Sequence, residues 1–401
     1  MNILIITAVF PPEPVVSAKL SYDIVKALSE DNKLTVISPR PSRPYKHNFS
    51  DYKPDTAIKH IYADSYTCPQ MSMLGRFRES YSFGKHCSGY IRKNHKEINI
   101  IYANTWPLFA QLFVIRAAKK YHIPVVIHIQ DVYPESLTKK IPLLGKLIKS
   151  ILLPFDRHIL RHATKIIAIS EKMKDYLSAT RNIPADKISV IHNWQDEKMF
   201  VDHSLNRNDN LSGSRPFTFM YLGNIGPVAG VDLLIEAFAD TNLVNAKLVI
   251  AGSGSMKEKL EKKTSELKLP AIEFVSVPDG KVPEVQAQAD ILLLPMKKGT
   301  AASSVPSKLS AYMISSKPVI GCVDENSDTA EVIRRSGCGW IVRPEDPKLL
   351  AKLMKKVVSL PVSNLQKIGA NGYNYAIEHF SKKNNLVHLT KIIKETSPGN
   401  N

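Results

Sequence analysis

The chain of 401 residues is short of cysteine, of acidic side chains and of long apolar runs, and each shortage closes off a class of protein. Its four cysteines, Cys68, Cys87, Cys322 and Cys338, form no C-x-x-C pair and no metal-ligand spacing, which argues against a zinc module and a disulfide scaffold. They suit a reducing compartment, with Cys322 as a small buried hydrophobe in a strand. No apolar run approaches the roughly 20 residues of a spanning helix. The opening stretch MNILIITAVFPP lacks a basic flank, so it is expected to be a core strand rather than a leader. No recognisable nucleic-acid-binding motif is present.

Acid is scarce: 37 Asp and Glu stand against 54 Lys and Arg, for a formal net charge of +17. The excess is uneven, since residues 1–200 hold 29 basic and 17 acidic side chains. The first half is therefore expected to meet phosphates, nucleic acid or an anionic membrane surface. Hydrophobic residues at 44% and charged residues at 23% are ordinary for a soluble globular chain, and the length predicts two or three domains.

Short apolar runs recur at 3–9, 33–38, 98–103, 124–129, 165–169 and 188–192, with helical spacing between most of them. A polar stretch, DHSLNRNDNLSGSR (202–215), interrupts the series. Strand patterns resume at 217–222, 247–251, 272–277, 291–294, 318–322 and 338–342. Alternation of this kind predicts an α/β fold of two doubly wound Rossmann-like domains, at 1–201 and 216–380. Residues 381–401 form a last helix, expected to cross back to the first domain, and a polar tail from Thr396. In such sheets ligands bind beyond the carboxyl ends of the strands.

Five of those ends carry candidate chemistry. In 290–322 an apolar run ending at Pro295 leads through a small-residue loop, Gly299 to Ser304, to a helix entered at Pro306, Ser307 and Lys308. Small side chains, hydroxyls, a lysine and free N–H groups at a helix start make a diphosphate seat; a capped helix with Ser303, Ser304 or Ser307 as its cap is the competing explanation. The turns at Gly223-Asn224-Ile225-Gly226 and Gly252-Ser253-Gly254 repeat the phosphate-type pattern. After the first strand, Ser17 and Lys19 stand near a helix start and are candidate anion contacts. After the fourth, Gln130, Asp131 and Glu135 form a polar group suited to hydroxyl-rich ligands or proton transfer, with Asp131 preferred.

Two stretches are basic and apolar at once. Residues 139–165 place Leu144, Leu147, Ile148, Ile151, Leu152 and Phe155 at helical spacing among seven Lys and Arg, as an interfacial membrane helix would, although a helix packed on its own sheet with a basic face gives the same pattern. Residues 76–90 interleave Arg76, Arg78 and Lys85 with Phe77, Tyr81, Phe83 and Tyr90.

YLGNIGPVAGVDLLIEAF (221–238), AGSGSMKEKL (251–260) and PSKLSAYMISSKPVIG (306–321), with FPPEP near the start, resemble the retaining family-4 glycosyltransferases of GT-B fold. Within that family, IQDVYPES, GNIGPVAGVD and GTAASSVPSKLSAYM resemble the branch that adds N-acetylfucosamine-type sugars to lipid-linked O-antigen or capsule intermediates. The resemblance implies a UDP-sugar donor, an undecaprenyl-diphosphate-linked acceptor, no metal or other cofactor, and a protein held at the cytoplasmic face of the plasma membrane through 139–165. It places the donor diphosphate against Gly223, Asn224, Ser303, Ser304, Ser307 and Lys308, and the nucleoside near Gly252, Ser253, Val277 and Pro278. Asp131, Gln130 and Lys308 become the catalytic candidates, with Ser17, Lys19 and Glu135 on the acceptor side.

The departures from the family pattern are specific. An Arg and a Lys that grip the diphosphate in most members align here with Asn224 and Ala229, two Glu with Ser303 and Ala311, and a His with Gln130. The paired glycines of the first loop are Val15 and Val16. A neutral side chain does not replace a charge-assisted fork, so Lys308 and then Lys19 are expected to supply the missing charge. A UDP-N-acetylglucosamine 2-epimerase-like isomerase and a catalytically degenerate binding protein are the alternatives.

Overall fold

The structure, a computed structural model, describes the chain except for residues 44–47, 50–54, 57, 69–71, 106–107, 139–144, 201–214, 279, 299–305 and 398–401. The chain divides into two compact units, Met1–His192 with Asn385–Asn401, and Asn193–Asn384.

The first unit comprises β1 (Asn2–Thr7), α1 (Val16–Ser29), β2 (Lys33–Pro39), β3 (Lys59–Ala63), α2 (Met73–Asn94), β4 (Ile100–Asn104), α3 (Phe109–Lys120), β5 (Val125–Ile129), α4 (Glu135–Thr138), α5 (Gly145–His162), β6 (Lys165–Ala168), α6 (Glu171–Arg181) and β7 (Ile188–Val190). Its seven strands are all parallel, in the order β3-β2-β1-β4-β5-β6-β7, so the winding reverses between β1 and β4. Ile5 sits level with Val36 on one side and Tyr102 on the other. The strands read as unbroken apolar runs because helices cover both faces. On one face Leu4, Ile101, Ile127 and Ile166 are sealed by Phe83 of α2, Ile115 of α3, Leu160 of α5 and Leu177 of α6.

Sequence patterning finds six of these strands and misses β3. Its sequence KHIYA lies at the sheet edge and is mostly half-buried, so it never needed the continuous apolar run that marks a central strand.

The second unit holds β8 (Phe217–Leu222), α7 (Val231–Ala239), β9 (Ala246–Ala251), α8 (Lys257–Glu266), β10 (Ile272–Val275), α9 (Val282–Ala287), β11 (Ile291–Pro295), α10 (Ser307–Ile314), β12 (Val319–Cys322), α11 (Asp328–Ser336), β13 (Gly339–Val342), α12 (Pro347–Val358) and α13 (Val362–Phe380). All six expected strands are present. They are parallel in the order β10-β9-β8-β11-β12-β13, again reversing beside the first strand of the unit. α14 (Lys382–Thr396) begins in this unit, and from Asn385 onward it belongs to the first. There Leu389 and Ile393 are fully buried and Lys394 pairs with Asp31 at 2.9 Å. The helix runs through Thr396, where the polar tail was expected to start.

The unit boundary falls at His192, short of the 201 that polar composition suggested. Trp194 and Phe200 are buried, the Gln195 N–H donates to the Phe380 carbonyl, and the Glu197 carboxylate accepts the leading N–H groups of α14 from Lys382 and Lys383. Residues 193–200 are thereby tied into the second unit. The expected linker lies outside the described residues apart from Arg215, which forms a two-pronged pair with Asp290. No described helix is long and apolar enough to cross a membrane.

Candidate functional site

In the second unit the carboxyl ends of β8 and β9 and the start of α10 meet around Lys308. Tyr312, one turn along α10, uses its buried hydroxyl to accept the Leu222 N–H at 2.9 Å and donate to the Leu222 carbonyl at 3.0 Å. That pins the helix to the last residue of β8. Because residues four apart share a helix face, Lys308 is carried over the turn that follows.

There its ammonium donates to the Tyr221 hydroxyl at 2.6 Å and lies 4.6 Å from the centre of the ring. The phenol in turn donates to the Asn224 carbonyl at 2.6 Å. Burial lowers the Lys308 pKa from its ordinary value and pushes the Tyr221 phenol up to about 12. A poorly hydrated cation steered by a phenol is well suited to hold an anionic oxygen.

The glycines make room for this arrangement. A Cβ on Gly223, whose φ is 152°, would overlap Lys308 Cε and stand 2.7 Å from Nζ. Gly252, at φ 136°, lies so close to the Gly223 carbonyl that any side chain there would collide with it. The two strand-end turns are laced together where the Gly223 N–H donates to the Ala251 carbonyl at 2.9 Å and the Ile225 N–H to the Ser253 carbonyl at 2.8 Å. Asn224 and Ser253 are exposed on the rim; Val277 is half-buried and Pro278 exposed beyond β10.

At the entrance to α10, Pro306 occupies the cap position and no side chain caps the helix among the described residues. Ser307 is the first helical residue rather than the cap, and its side chain is exposed. The leading N–H groups and the positive end of the helix dipole therefore face the same side as Lys308. Ser303 and Ser304 lie outside the described residues. A separate cavity of about 410 Å³ lies between α9 and strands β8 to β10, running from Arg215, Lys247 and Glu273 to Val275 and Ser276; Lys308 does not line it.

In the first unit Gln130 and Asp131 follow β5 directly. The Gln130 amide nitrogen lies 3.1 Å from His128 Nε2, and His128 Nδ1 lies 2.7 Å from the Tyr102 hydroxyl. With the amide donating, the imidazole carries its proton on Nδ1 and donates that N–H to the Tyr102 hydroxyl oxygen. His128 is buried and its pKa is lowered to about 4 by that burial, so it is a neutral support for Gln130. Asp131 is exposed.

Glu135 is engaged in the frame of the unit. It accepts from Arg181 at 2.8 and 2.6 Å and from the Tyr176 hydroxyl at 2.8 Å, with Lys149 of α5 at 3.2 Å. Arg181 is fully buried and also binds Asp156 of α5 at 2.8 Å and the Tyr133 carbonyl at 2.7 Å. Burial acts to raise the Glu135 pKa, yet the hydrogen bonds from Arg181 and Tyr176 prevail and hold it at about 2. Ser17 and Lys19, in the first turn and a half of α1, are exposed.

Sequence reading missed Tyr221, Tyr312, His128, Tyr102 and Arg181. The two residues at the end of apolar strands, Tyr221 and His128, carried a signal: a polar-tipped ring where the pattern called for an aliphatic one. Among the described residues, no three His, Cys, Asp or Glu side chains stand together as a metal site.

Two parallel α/β units, each reversing its winding beside its first strand and each with its candidate residues at the carboxyl edge, define a GT-B architecture. HepE from Anabaena in complex with UDP shares that fold at a TM-score of 0.68 and 16% identity, covering 98% of this chain and all of the other. The model described as Glycosyltransferase Family 4 matches residues 18–198, and that of Glycosyl transferases group 1 matches residues 202–375. The chain belongs to these glycosyltransferases of GT-B fold. It is 24% identical to the probable glycosyltransferase WbjE of Pseudomonas aeruginosa and to the putative colanic acid biosynthesis glycosyl transferase WcaI of Escherichia coli, in each case over 255 residues. These matches span 60% of this chain and 61% of each relative.

Proposed function

We propose that the protein is a retaining hexosyltransferase that moves an N-acetylated deoxyaminosugar, of the N-acetylfucosamine kind, from a UDP-sugar to an undecaprenyl-diphosphate-linked sugar in O-antigen or capsule synthesis. The observation that carries the reading is the Lys308 ammonium, steered by Tyr221 over Gly223 beside the start of α10, which no described side chain caps. WcaI is named for colanic acid biosynthesis and HepE is seen with UDP; both support the choice of substrates.

In this reading the donor diphosphate lies between Lys308, Ser307 and the turn at Gly223 and Asn224, with Ser303 and Ser304 on the preceding loop. The nucleoside lies toward Gly252, Ser253, Val277 and Pro278. As the sugar bond stretches, charge accumulates on the leaving diphosphate, and Lys308 with the helix N–H groups stabilises it without metal. Gln130, held by His128, and Asp131 would contact the sugar or the acceptor hydroxyl. Ser17 and Lys19 remain candidate acceptor contacts, whereas Glu135 acts by holding the loop after β5. An anionic membrane surface at the cytoplasmic face, met through 139–165, brings the lipid-linked acceptor; each basic side chain there contributes roughly 1 kcal/mol. The family matches favour transfer over the isomerase and the degenerate binding protein.

The test is UDP release from a panel of UDP-N-acetylaminosugars with and without undecaprenyl-diphosphate-linked sugar, following the sugar itself. Release that needs one donor together with the lipid acceptor is expected. Sugar conversion without acceptor would assign an isomerase instead, and a panel without any release would remove the proposed donor class.

A further inference from the structure

α2, α3 and α5 lie side by side on one face of the first sheet, and all three run parallel because each connects parallel strands. Gly84 lets α2 approach α3 so closely that a Cβ there would sit 2.6 Å from Ala110 Cα, and Ser80 accepts the Ala110 N–H at 3.0 Å. The middle of α2 is thus level with the start of α3, and the first turns of α2 project past it.

Those first turns are apolar on the outside. Leu74 is 78% exposed and Tyr81 49%. Phe77, Tyr81, Phe109 and Phe113 meet edge to face across the two helices at 5.2–6.1 Å. On α5, Leu147, Ile151 and Phe155 repeat at four-residue spacing and are 60%, 56% and 42% exposed. α5 packs along α3 on this face. The exposed apolar side chains of α2 and α5 therefore flank the half-buried Phe109 and Phe113 of α3, toward the carboxyl edge of the sheet.

Charge gives the band its partner. α2 carries five Lys and Arg, α3 three and α5 four. The three helices hold only two acids, Glu79 and Asp156, and both are buried in ion pairs. α6, next along the sheet, has Glu171 and Asp175 exposed, and Glu135 pairs with Lys149 of α5, so the acid-poor surface ends at α5.

We infer that α2 and α3 join α5 in a single docking face for an anionic bilayer. This rests on the membrane-associated reading above and enlarges the contact from one helix to three. Apolar side chains enter the interface while the surrounding cations meet lipid phosphates. A single-stranded nucleic acid fits less well, because the most exposed members are aliphatic and Phe77, Phe109 and Phe113 are half-buried against one another rather than open to stacking.

The experiment is co-sedimentation of the full chain with phosphatidylcholine vesicles containing about 30% phosphatidylglycerol, chosen for surface charge, at two salt concentrations. Leu74→Glu with Tyr81→Glu tests the enlargement, Leu147→Glu with Ile151→Glu tests the α5 contact alone, and thermal midpoints verify folding. The inference expects each folded double variant to lose at least about tenfold in partitioning, all binding to weaken with salt, and pure phosphatidylcholine to bind poorly. Loss confined to the α5 variant would overturn the three-helix face and leave the narrower contact standing. Wild-type protein that ignores the vesicles would overturn both. Vesicle binding displaced by a single-stranded oligonucleotide, or self-association abolished by the α2 variant without change in partitioning, would also overturn the inference.

Discussion

Lys308 has no acidic partner among the interactions described at its site; it is held by a phenol, a glycine and its own helix. A cation so placed is free to take its counter-charge from substrate, and its removal is expected to cost one charge-assisted hydrogen bond, about 1.5–3 kcal/mol. Lys308→Ala should therefore cut turnover at subsaturating donor by roughly ten- to a hundredfold with the fold intact. Near wild-type turnover would remove Lys308 from the site. Tyr221→Phe keeps the ring under the ammonium and deletes only the oxygen that steers it, so a smaller loss, about three- to tenfold, is expected in the same assay. Gly223→Ala drives a methyl into Lys308 at a φ that L-residues rarely adopt. It should weaken UDP binding measured by calorimetry and lower unfolding stability by about 1–3 kcal/mol.

At the level of elements, the loop after β5 is fastened to α5 and α6 by Arg181 through Glu135, Asp156 and the Tyr133 carbonyl. Glu135 has its folded pKa depressed to about 2 from 4.5, so its contribution is fully present above pH 4.5 and fades as pH falls toward 2. Glu135→Gln should thus destabilise the protein at pH 7, with the difference from wild type shrinking between pH 4.5 and 2 in denaturant titrations. Asp156 behaves oppositely: burial lifts it to about 6 against the pull of Arg181, so its ionisation weakens the fold as pH rises from 3.8 through 6. Such fastenings were invisible in the sequence. β11 and β8 announce themselves because burial on both faces demands unbroken apolar runs, whereas Arg181 looks like any helical arginine until Glu135, 46 residues earlier, folds against it. The glycine turns and Lys308 were legible for a local reason, namely that small residues beside a helix start have few other uses. The partner that orients Lys308 was not, since Tyr221 lies 87 residues away.

For the whole molecule, the stretch from Asn385 belongs to a unit begun at Met1. Leu389 is fully buried there, and Leu389→Ala is expected to cost about 2–4 kcal/mol in the first unit's unfolding transition, followed by urea titration. Transfer by backbone N–H groups and Lys308 predicts that EDTA leaves turnover unchanged; loss that Mg²⁺ or Mn²⁺ restores would contradict the metal-free assignment. The division of the chain also governs the order of its birth. The second unit, residues 193–384, is continuous and has all its strands once it has left the ribosome, while the first waits with Asp31 unpaired and the seat for Leu389 and Ile393 open. At about 5–20 residues per second that wait lasts roughly 10–40 seconds, so the unit translated first is completed second, and a nascent chain passes through synthesis with its older half unfinished.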